Sequence, residues 1–173
     1  RLLPDLAARA EVLLAPGQGG SGPDRDVLLV AALSALMQGQ PARAADFLAV
    51  IVPDPARLRA EPNLLDPASL LVHALREAGR EAEADRMDAA LMAAIGPWLA
   101  QAGDHADSRF VRAMVALHEG DNDTSVDLLE AAYERGFRRR WLMRHDVRLA
   151  PLHGHPRFEA LYARIGEDQA AAR

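Results

Sequence analysis

Gly39, Gly79 and Gly120 lie 40 and 41 residues apart, and each separates two stretches whose apolar residues recur at helical spacing. A repeat of that length, with one breaker at its centre, constrains the chain to a series of helix hairpins. The paired segments are 27–38 with 41–52, 67–78 with 80–95, and 107–119 with 124–135. Hairpins are therefore expected over about 26–52, 67–95 and 107–135 of one domain spanning 1–173. Glycine suits these points because it enters the left-handed conformation that ends a helix without a Cβ clash.

Local chemistry agrees with the period. Asp66 before Pro67 reads as an N-cap followed by a ring at the position where a missing N–H costs little. Leu70, Leu71, Ala74, Leu75 and Ala78 then line one helical face, and Ala84, Met87, Leu91 and Ile95 line the next before Gly96 and Pro97 stop it. Thr124 with Asp127 reads as a capping box, and Gly136 closes that helix ahead of Phe137. Phe158, Leu161, Tyr162 and Ile165 predict a last, capping helix over about 156–165. A matching helix over 4–14 is expected at the other end. Segments 16–23, rich in glycine, and 53–67, with Pro53, Pro55, Pro62 and Pro67, read as interruptions. No stretch alternates with period two long enough for a sheet, so the fold class is all-α.

Composition narrows function. Ala and Leu dominate while aromatics are 5%, as packed helices require. The net charge of −5 argues against a phosphate-backbone ligand, and no direct nucleic-acid binding is expected. All 20 basic residues are Arg, spread along the chain. The absence of cysteine removes thiol nucleophiles, thiolate metal sites and disulfides. No apolar run approaches the ~20 residues of a membrane span, so no membrane insertion by this segment is expected. The chain starts at Arg1 rather than Met, which reads as a piece of a longer protein.

The small residues around each turn resemble those of tetratricopeptide repeats. Ala32, Gly39, Ala44 and Leu48 match the family pattern, as do Ala113, Gly120, Ser125, Leu129 and Ala132; Val72, Gly79 and Ala84 match it less closely. Small side chains belong where two helices cross closely. The spacing exceeds the family's ~34 residues, which implies longer loops between hairpins. The run Leu128-Leu129-Glu130-Ala131-Ala132-Tyr133, then Gly136-Phe137, Leu149-Ala150-Pro151-Leu152 and His155-Pro156-Arg157-Phe158-Glu159-Ala160-Leu161, is similar to the ends of tetratricopeptide regions downstream of bacterial winged-helix regulators and nucleotide cyclases. That likeness covers about 107–173. It implies a short right-handed α-solenoid and a non-catalytic protein-interaction module, the C-terminal part of a bacterial signalling or transcriptional protein. The implied compartment is the cytoplasm, with the periplasm open to a longer membrane-anchored chain.

By the same resemblance the first helix of each hairpin lines a groove for a peptide or protein partner. The positions are Leu29, Leu33 and Met37, then Ser69, His73 and Arg76, then Phe110, Met114 and His118. The competing reading is ordinary core. The Lys and Asn residues with which some family members clamp a terminal carboxylate are missing there. Two alternative functions stay open: a sensor whose groove closes into a small-molecule pocket around His73, Arg76 and His118, and a self-association scaffold, the oligomeric state being undetermined.

Arg138, Arg139, Arg140, Arg144 and Arg148, with Trp141 among them, form a candidate patch for an anion or an acidic partner. The favoured reading is a solvated face with Trp141 tucked into the core. His145, Asp146, His153 and His155 have weak metal-ligand spacing on a turn, and neither metal nor cofactor is expected. Gln18-Gly19-Gly20-Ser21-Gly22 lacks the Lys-Ser/Thr of a phosphate loop and reads as a linker. No catalytic signature occurs in the chain, so an enzyme is not expected.

Overall fold

The expected hairpin turns rest on one repeated set of backbone bonds. Gly39, Gly79 and Gly120 all have positive φ, between 68° and 81°. The residue after each glycine donates back across the helix end: Gln40 N–H to the Ala35 carbonyl, Arg80 to Leu75 and Asp121 to Ala116, each at 2.9 Å. The glycine N–H groups donate to Leu36, Arg76 and Leu117. This paired bonding satisfies carbonyls that a helix end otherwise leaves open. Gly136 and Phe137 repeat it against Tyr133 and Ala132.

The computed structural model describes residues 22–171, and the side chains of 25–171. Among them the regular elements are all helical. The helices are α1 (Gly22–Met37), α2 (Pro41–Ile51), α3 (Leu65–Glu77), α4 (Glu81–Gln101), α5 (Ala106–His118), α6 (Asn122–Glu134), α7 (Arg140–His145) and α8 (Pro156–Ala171). Short 3-10 helices occupy Pro55–Arg59, Pro62–Leu64 and Val147–Leu152. The expected helix over 4–14 and the linker reading of 18–21 lie outside the described residues.

The chain divides into two compact units, one up to Trp98 and one from Leu99. In the first, α1 packs against α2 and α2 against α3. Arg76 of α3 reaches Asp88 of α4 at 2.7 Å. The proline-rich segment 53–67 is ordered by the two 3-10 turns, which bury Leu58 and Leu64. In the second, α5 and α6 form a hairpin. Val126, Leu129, Met143, Leu149, Leu152, Phe158, Leu161 and Ile165 fill its core. A fully buried side chain of this size contributes about 1.5–3 kcal/mol.

The hairpins bury matching positions. Seven residues before each turn glycine stand Ala32, Val72 and Ala113; five after it stand Ala44, Ala84 and Ser125; all six are buried. Nine after it stand Leu48 and Leu129, both buried, but Asp88 in the second hairpin. There the Asp88–Arg76 ion pair replaces an apolar contact.

Four local expectations are corrected. α1 begins at Gly22, so Pro23 sits in its first turn, where a missing N–H breaks no bond. Leu64, not Asp66, is the N-cap of α3, and Asp66 lies within its first turn. The cap of α6 is Asp121, whose carboxylate accepts the Thr124 N–H at 2.9 Å, so the Thr124–Asp127 box is absent. Gly96 and Pro97 do not stop α4, which runs on to Gln101. Both residues are exposed, so a carbonyl that loses its partner to the proline ring is hydrated rather than orphaned.

Candidate functional site

Helix α1 buries Val27, Leu28, Ala32 and Ala35 on its inner side. Its outer stripe, at spacings of four, three and four, is Asp26, Val30, Leu33 and Met37. Three of those four outer residues are apolar. Val30 is 44% and Met37 60% exposed, and Leu33 is half-buried. Exposed large apolar side chains are few among the described residues, so two on one stripe mark a surface that prefers a partner to water.

The other predicted groove positions fare unevenly. Leu29, Ser69 and His73 are half-buried, and Arg76 is exposed but engaged by Asp88. Phe110 is only 8% exposed, and its ring stacks on Phe137 with centroids 5.1 Å apart. It is a core residue, which corrects its assignment to the groove. Met114 packs against the same core, while His118, at the end of α5, is exposed. Phe110, Met114 and His118 belong to the second unit, whereas His73 and Arg76 belong to the first.

The arginine cluster is largely consumed by carboxylates. Arg138 meets Asp168 at 3.0 Å, Arg139 meets Asp107 at 3.0 Å and Arg144 meets Glu159 at 3.0 Å. Arg148 binds the buried Asp146 through two nitrogens, at 2.9 and 2.6 Å. The Gly154 N–H, with Arg144 behind it, holds the Glu159 carboxyl below its ordinary range. Arg140 instead lies over the Tyr162 ring at 4.3 Å, a ring it shares with Arg144 at 4.5 Å. Trp141 is 62% exposed, which corrects its expected burial. The short helix α7 turns Met143 inward, and two residues back along a helix is about 200° away. The indole therefore faces outward, tilted against His145 at 4.9 Å.

The histidines serve local structure. A His153 ring nitrogen lies 3.3 Å from the Met143 carbonyl and a His155 nitrogen 3.3 Å from Asp123. Among the described residues no three His, Asp or Glu side chains gather as ligands for an ion.

One concavity was not anticipated from the sequence. A cleft of about 480 Å³ lies in the second unit, at the junction of the α4 end, the following turn and the α5–α6 hairpin. Leu99, Ala100 and Leu128 supply its apolar wall, and Asp104, Arg109 and Arg112 its charged side. Gly103, at φ 66°, makes the turn. Asp104 takes two nitrogens of Arg109, at 2.5 and 2.8 Å, and one of Arg135 at 2.8 Å. The Arg109 hydrogen bond, then the charges of Arg109, Arg135 and Arg112, hold the Asp104 carboxyl below its ordinary range. Arg112 donates to the Leu99 carbonyl at 3.1 Å and pairs with no carboxylate among the described residues. The turn owes its shape to the box at the start of α5, where the His105 ring accepts the Ser108 N–H and the Ser108 hydroxyl accepts the His105 N–H. Histidine is not among the usual capping residues, and Arg-x-x-Arg spacing is common on solvated helices, so neither signal singled out the cleft.

Comparison with family models, with curated proteins and with solved structures finds no match to this chain.

Proposed function

We propose that this chain is a tetratricopeptide-like helical-repeat module that binds a protein partner and performs no chemistry of its own, as part of a bacterial signalling or regulatory protein. The observation that carries the reading is the outward stripe Val30, Leu33 and Met37 on α1. Residues at spacings of three and four form a strip that suits an amphipathic partner helix with apolar anchors. The matching buried positions around Gly39, Gly79 and Gly120 support the tetratricopeptide likeness, and with it a short α-solenoid. A pre-ordered helix face gives up little conformational entropy when a partner docks.

The test is a crosslinked pull-down from native lysate with the wild-type chain beside a Val30→Glu/Met37→Glu variant. Both side chains are largely exposed, so the variant retains the wild-type helical circular dichroism. A partner retained by the wild type and lost by the variant supports the reading. Equal capture by both overturns it, and a captured second copy of this chain moves self-association ahead.

A further inference from the structure

We infer that the cleft beside α5 binds a carboxylate attached to a short aliphatic group, with Arg112 as the anchor and Leu99, Ala100 and Leu128 as the apolar seat. The charge balance points there. Among the described residues, Arg109, Arg112 and Arg135 surround a single acid, Asp104, leaving two positive charges uncompensated there. Arg109 and Arg135 are already turned onto Asp104, which fixes them in place. Arg112 has one of its five N–H donors on the Leu99 carbonyl and, among the described residues, no anion on the rest. A guanidinium held at one edge by a backbone carbonyl is oriented without being neutralised, and its free edge matches the two oxygens of a carboxylate. A phosphate would bring a second negative charge towards Asp104, whereas a carboxylate brings only one. The apolar wall then accounts for the other end of the ligand, and the volume falls within the ~300–1,000 Å³ of small-molecule sites.

A free organic acid and the C-terminus of a polypeptide share this chemistry. The full chain is titrated by calorimetry and by amide NMR with three probes at millimolar concentration: N-acetyl-leucine, an acetylated alanine peptide ending in leucine with a free carboxylate, and the same peptide amidated. The inference predicts that at least one free acid binds and shifts the amides of residues 99–112, and that the amide form does not. Arg112→Gln, at an exposed position, is expected to weaken binding roughly tenfold or more, as loss of a hydrogen bond to a charged group does. Binding of the peptide alone identifies a chain terminus as the source, and binding of N-acetyl-leucine alone identifies a free acid. No binding by either acid, equal binding of the amide, or an unaltered Arg112→Gln would overturn the assignment. The Val30→Glu/Met37→Glu variant is expected to bind the same acid unchanged, so failure of the α1 reading and failure of this one are told apart.

Discussion

At the scale of single residues the chain is held at its helix ends. Asp121 caps α6 by accepting the Thr124 N–H, and that bond is the leading reason its carboxyl sits below the ordinary range. Asp121→Ala is therefore expected to lower the unfolding midpoint at neutral pH. A depressed folded value means that the contribution is present above the unfolded carboxylate value near ~4 and is lost as pH falls through the lower folded value. The gap between wild type and variant should narrow in acid, as denaturant melts along a pH series would reveal. A gap that widens in acid would mean that the carboxylate is not what caps the helix. The turn glycines were legible in the sequence because few residues but glycine are at ease at positive φ. The caps were less so. Asp66 and Asp121 are equally good capping residues, yet Asp121 caps its helix while Asp66 lies inside the first turn of α3.

At the scale of elements the misread boundaries share a cause. Sequence patterns mark where a helix can end, and neighbouring contacts decide where it does end. Pro97 sits inside α4, where the ring removes a backbone bond to the preceding turn and costs up to about 3 kcal/mol against alanine. Pro97→Ala should then stabilise the chain by about 1–3 kcal/mol in equilibrium denaturation, less what the unfolded chain regains in freedom. A fall in stability instead would show that the ring makes a contact worth more than the missing bond. The six-residue α7 was too short to display a face in sequence, which is why Trp141 was expected inside. Its one buried side chain, Met143, fixes the rotation and leaves the indole outside.

At the scale of the whole chain the all-α class was legible from hairpin period and composition together, and the surfaces were not. The arginine run looked like one patch along the sequence, yet Asp107, Asp146, Glu159 and Asp168, up to 32 residues away, take four of its five members. Apart from the local Asp146–Arg148 pair, these pairings join residues 15 to 32 positions apart and leave no trace in local spacing. Conversely nothing in the sequence singled out Arg112, whose cleft is formed by Leu99 and Ala100 at the end of α4, the Gly103 turn, α5 and Leu128 of α6. Met37 was picked out by the family resemblance, and its 60% exposure is the feature on which the interaction reading rests. Photo-crosslinking in cells from a benzoylphenylalanine placed at position 37, with position 49 on the solvent side of α2 as the control, tests that reading most directly. One adduct of defined mass is expected from position 37 and none from position 49. Indistinguishable adducts from both positions, or none from position 37, would contradict it.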